Sequence, residues 1–80
     1  MEAFFFGSAD CLGKTIYYYL LQSGVCHPHY GIKVLFGDEN VAIPKISTRK
    51  ESVCALLEQM LQGAVTPVTV SDVIEDWLGE

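Results

Sequence analysis

The sequence is short of positive charge. Five lysines and arginines stand against ten aspartates and glutamates in 80 residues, giving a net charge of −5. No lysine–arginine cluster reverses that field locally, so a phosphate backbone or an anionic membrane surface is repelled. Neither nucleic acid nor a membrane is expected as a partner. Long apolar runs are missing as well, and none approaches the ~18 residues that cross a bilayer. The opening MEAFFFGSAD has no basic stretch before its apolar residues, so it is not expected to be a signal peptide. Cysteine is scarce and odd in number: Cys11, Cys26 and Cys54 fit no disulfide framework. A cytoplasmic, reducing setting is the expectation. Repeats, low-complexity tracts and linkers are absent, and residues 1–80 read as a single domain.

Apolar residues are abundant. They make up 50% of the chain, although a domain this small buries only about 60% of the surface its unfolded chain exposes. The excess implies that a second copy or another protein covers part of the surface.

The strongest periodic signal is Thr48–Leu61. Val53, Leu56, Leu57, Met60 and Leu61 recur at helical spacing, with Cys54 and Ala55 widening the stripe. Thr48 and Glu51 have the spacing of a capping box. Gly63 follows the stripe, where a left-handed cap suits glycine. A helix is expected over 48–62. A second, over 69–78, is expected from Val70, Val73, Ile74, Trp77 and Leu78, with Thr69 or Ser71 as its cap and Asp72, Glu75 and Asp76 on the other side.

The region before these helices reads as strands. Ala3–Phe6 is a short aromatic strand, and Asp10–Gly13 a turn. Thr15–Leu21 is rich in β-branched and aromatic residues and suits a strand that sends Ile16, Tyr18 and Leu20 to one face and Tyr17, Tyr19 and Leu21 to the other. Helix is the rival reading, since Ile16, Tyr19 and Leu20 also keep helical spacing. Gln22–His29 is a loop. Tyr30–Phe36 alternates with Tyr30, Ile32, Val34 and Phe36 inward, leaving Leu35 as the exception. Gly37–Asn40 is a turn into Val41–Ile46, where Pro44 implies a sheet edge. Strands followed by helices make the class α+β: an antiparallel meander of three to four strands over residues 3–46, with two helices packed on one face.

Three motifs invite chemistry. Residues 8–15, SADCLGKT, carry the second half of a phosphate-binding loop in Gly13, Lys14 and Thr15, and IKVLFGDE at 32–39 loosely resembles a magnesium-holding strand end. Ser8 replaces the first glycine, however, and a strand rather than a helix is expected to follow. The cluster Cys26-His27-Pro28-His29 holds three zinc-type ligands in four residues, but a structural site needs four and no second pair exists. Cys26 beside His27 also lacks the third, orienting group of a nucleophilic site. Nucleotide binding and metal binding are therefore kept as alternatives. No cofactor, metal or catalytic residue is assigned, and the chain is expected not to be an enzyme.

Most of the chain from Thr15 onward resembles a family of short uncharacterised bacterial proteins, a domain of unknown function. The resemblance rests on the tyrosine-rich strand, Tyr30-Gly31-Ile32, the capped helix from Thr48, Thr66-Pro67, and Asp72-Val73-Ile74-Glu75-Asp76-Trp77-Leu78. It implies a small cytoplasmic protein and carries over no activity. The functional expectation comes from geometry instead. If helices cover one sheet face, Tyr17, Tyr19 and Leu35 remain on the other, and aromatic side chains favour interface cores. The expected role is a non-enzymatic interaction or dimerisation module, with the acidic face Asp72, Glu75 and Asp76 as a second surface.

Overall fold

The structure is a computed structural model and describes residues 2–78. Four strands run β1 (Glu2–Cys11), β2 (Lys14–Ser23), β3 (His29–Phe36) and β4 (Glu39–Ser47), followed by α1 (Lys50–Gln62) and α2 (Pro67–Leu78). The sheet order is β1-β2-β3-β4 with every pair antiparallel. The expected α+β meander with helices after the strands is what the chain forms. Thr15–Leu21 lies within a strand, because its aromatic and β-branched residues pack on both faces of a central position.

Two-residue turns close the outer hairpins. Cys11 pairs with Lys14 across Leu12 and Gly13, both at positive φ (53° and 81°), the pattern of a type I′ turn. Phe36 pairs with Glu39 across Gly37, at φ 60°, and Asp38. Both turns are tighter than the four-residue turns expected, since the strands extend further toward each other. The loop between β2 and β3 is likewise shorter than expected.

One face of the sheet meets the helices. Ile16, Tyr18, Leu20, Ile32 and Val34 join Val53, Leu56, Leu57, Met60, Val70 and Ile74 in a single buried cluster. The alternation expected for β2 and β3 is thus realised. Burying a leucine- or isoleucine-sized side chain contributes roughly 1.5–3 kcal/mol, so this cluster dominates the stability. In β1 an extra residue lies between Phe5, opposite Tyr19, and Gly7, opposite Tyr18. This bulge lets Phe6 pack against the core while Gly7 also faces α1. A Cβ on Gly7 would lie 3.1 Å from a Leu61 methyl, so the missing side chain lets the helix approach closely.

The helices end at Gln62 and Leu78 as expected, but their starts and caps differ. The N-cap of α1 is Arg49, with no side-chain cap, and the box between Thr48 and Glu51 does not form. β4 extends to Ser47, which pairs with Tyr30, and this holds the chain extended past the expected start. The Ser47 hydroxyl instead accepts from the Arg49 N–H at 3.1 Å. Gly63 is right-handed (φ −88°), and the left-handed residue is Ala64 (φ 49°). α2 begins at Pro67 rather than at residue 69, because proline's fixed φ and missing N–H suit the first helical position. The Thr69 hydroxyl donates to the Thr66 carbonyl there, at 3.1 Å. The backbone of Leu78 ends α2, while the apolar packing expected of its side chain lies outside the described residues.

Candidate interaction surface

The helices pack against one side of the sheet, leaving the other without a covering layer. Register places Phe5, Tyr19 and Lys33 in one cross-strand row of that open side, and Ser8, Tyr17, Leu35 and Asn40 in the next. Phe5 unites the aromatic residues. Its ring centroid lies 5.6 Å from Tyr19 in an edge-on arrangement and 6.4 Å from Tyr17 at a tilt. Such pairs contribute roughly 0.5–1.5 kcal/mol each beyond area burial. They also restrain the rings, so a partner meeting this surface has less motion to freeze. Phe5 is 60% exposed and Tyr17 43%, while Tyr19 and Leu35 are half-buried.

The surface has a closed end. Leu21 faces the same side but is only 3% exposed. It pairs with Gly31, and β4 bulges there: Tyr30 and Ile32 pair with Ser47 and Ile43, so residues 44–46 oppose one residue of β3. A Cβ on Gly31 would meet the Ile43 carbonyl oxygen and lie 2.5 Å from the Pro44 backbone. Only glycine fits, because the bulged backbone of β4 at Ile43 and Pro44 lies against Gly31, beside the buried Leu21. The open patch therefore lies at the Phe5–Tyr17 end.

Sequence reasoning identified Tyr17, Tyr19 and Leu35 but missed Phe5. The signal was present in the run Phe4-Phe5-Phe6, where alternation alone sends neighbouring rings to opposite faces. What it lacked was the bulge, which fixes Phe5 on the open side and Phe6 on the covered side.

The expected acidic residues Asp72, Glu75 and Asp76 are all exposed on α2. Asp76 lines a groove between α1 and α2 with Leu56, Gln59, Val73 and Trp77, a space of about 380 Å³. The first turn of α2 holds no acidic residue, so the three carboxylates do not gain from the positive end of the helix dipole. They lie on the layer opposite the aromatic patch, so the two surfaces are separate.

The remaining motifs are scattered by the fold. Residues 8–15 form the β1–β2 hairpin, with Gly13 in the turn, Lys14 opening β2, and the Thr15 hydroxyl donating to the Asp10 carboxylate at 3.5 Å. A strand, β2, follows this turn where a phosphate-binding loop opens a helix, so the backbone lacks the cradle that phosphate binding uses. Cys26 and His27 are exposed in the β2–β3 loop, whereas His29 sits in β3 opposite Ser23. Among the described residues, no group of three or more His, Cys, Asp or Glu side chains is placed to hold a metal ion. No helix among them is long and apolar enough to cross a membrane.

Residues 8–80 match a family of unknown function, DUF6514, and the chain belongs to that family. No curated protein and no solved structure matches it.

Proposed function

We propose that this protein is a non-enzymatic protein–protein interaction module that associates with a second copy of itself. The aromatic side of the sheet supplies the contact surface. The observation that carries this reading is the Phe5–Tyr17–Tyr19 cluster, with Phe5 60% and Tyr17 43% exposed on a face no helix covers. Large aromatic rings grouped on an exposed sheet mark interaction sites more often than solvated surface. The three free cysteines support a reducing, cytoplasmic setting, and family resemblance supports a bacterial one.

Light scattering on the purified chain tests the reading. A dimer mass is expected at tens of micromolar, and a clean monomer there would sink it. Tyr17→Ser combined with Tyr19→Ser is expected to weaken self-association about ten-fold or more, equivalent to about 1.4 kcal/mol.

A further inference from the structure

The two edges of the sheet are unlike. β4 is blunted: Pro44 has no N–H to donate, residues 44–46 bulge away from regular pairing, and Lys45 is exposed. These devices keep another strand from adding to an edge. β1 is ten residues long and contains no proline, lysine or arginine. Its one irregularity is the bulge at Phe6, which leaves Glu2–Phe5 as an uninterrupted, regularly paired segment.

That segment exposes rings on both of its faces. Phe4 pairs with Leu20, which points toward the helices, and Phe5 pairs with Tyr19 on the open side. Phe4 is 46% exposed and Phe5 60%. A helix or loop laid on either face would cover one ring. A strand added beside β1 flanks both rings and also takes up the outward N–H and C=O groups of the edge.

We propose that the strand is β1 of a second copy, paired antiparallel about a two-fold axis, joining two four-stranded sheets into one. This deepens the self-association reading above and rests on it. Charge selects the register. The carboxylates of β1 are Glu2 and Asp10, with no cation between them. Pairing over residues 2–10 would set Glu2 against the partner's Asp10, like against like. Pairing centred on Phe4 sets Glu2 against the partner's Phe6 and Phe5 against the partner's Ala3, and it goes no further than the bulge. The small Ala3 leaves room for the Phe5 ring, so the aromatic patches of the two copies meet across the seam. Because the contact is isologous, it pairs the regular part of both β1 edges and leaves outside only the stretch beyond the bulge and the blunted β4 edges, giving a closed dimer rather than a fibre.

The test compares solution mass over a dilution series with amide hydrogen exchange. Ala3→Lys with Phe5→Lys changes two exposed positions, so the fold, read by circular dichroism, is expected to persist. This variant is expected to be monomeric, with self-association weakened at least 100-fold. Val68→Ser, 72% exposed on α2 and outside the aromatic face, is expected to dimerise as the wild type does. Alternate amides within residues 3–6 are expected to exchange slowly in the dimer and to lose protection on dilution. The edge proposal is overturned if the lysine variant still dimerises, or if those amides stay unprotected in a dimer. Either result leaves self-association standing. A wild-type monomer overturns both.

Discussion

Tyr18 ties the sheet to the helices more firmly than its neighbours suggest. Tyr17, Tyr18 and Tyr19 are chemically identical, yet the central ring is fully buried and its hydroxyl donates to the Val65 carbonyl at 2.7 Å. Alternation makes that split legible in the sequence. The acceptor was not legible, because Val65 lies 47 residues away in the connection between α1 and α2. Burial, with a smaller contribution from negative charge at Cys11, pushes the Tyr18 hydroxyl up from 10.0 to about 12. In the unfolded chain the phenol ionises near pH 10, while the folded state holds its proton longer. Stability is therefore intact below pH 10 and falls as pH rises toward 12. Tyr18→Phe is expected to lose about 1 kcal/mol at neutral pH, because the Val65 carbonyl loses its donor. It is also expected to flatten the alkaline limb. Urea unfolding of both proteins between pH 7 and 12 measures both effects, and an unchanged alkaline slope in the variant would refute the assignment.

At the scale of elements, α1 shows where pattern and geometry part. Its apolar stripe was readable, and Val53, Leu56, Leu57 and Met60 are buried as the period requires. Its start was not, since the pairing of Tyr30 with Ser47 decides it, and although the stop at Gln62 was readable, the hydrogen bonds that close it were not. At the C-terminus Val65 N–H donates to the Met60 carbonyl and Ala64 N–H to the Leu61 carbonyl, at 3.0 and 3.2 Å. These two bonds form a Schellman motif whose left-handed position is Ala64. The natural order, glycine then alanine, is the reverse of what the backbone favours. Alanine meets a steric penalty in the left-handed region, and Gly63 carries needless freedom at a right-handed site. A Cβ on Gly63 would sit at ordinary van der Waals range, 3.5 Å from the Gln59 carbonyl oxygen and 3.7 Å from a Val65 methyl. Gly63→Ala with Ala64→Gly is therefore expected to stabilise the fold by about 1 kcal/mol, after allowing for removal of the partly buried Ala64 methyl. Calorimetry would register this as a melting temperature about 4–8 °C higher. A lower melting temperature would mean that the Ala64 methyl matters more than the backbone.

At the scale of the whole molecule, the fold class followed from strands preceding helices, and the uncovered face followed from counting the layers available. The edge asymmetry was only half visible. Pro44 announced one edge, but nothing local announced that β1 forms the other, because strand order is set by long-range pairing. That asymmetry bears on stability as well as assembly. A domain of 80 residues has a thin margin, and leaving Phe4 and Phe5 half-exposed forgoes part of its hydrophobic stabilisation. Coupling folding to dimerisation recovers it, and the coupling has a thermodynamic signature. When a dimer unfolds to two chains, mass action raises its melting temperature with concentration, by about 4 °C per ten-fold for a protomer of this size. The wild type is expected to follow that slope between ten and several hundred micromolar. Ala3→Lys with Phe5→Lys is expected to melt lower and at a temperature independent of concentration, since its folded state no longer draws on a partner. A wild-type melting temperature that also ignores concentration would show that the protomer is stable alone and that the exposed phenylalanines contribute nothing to it through association.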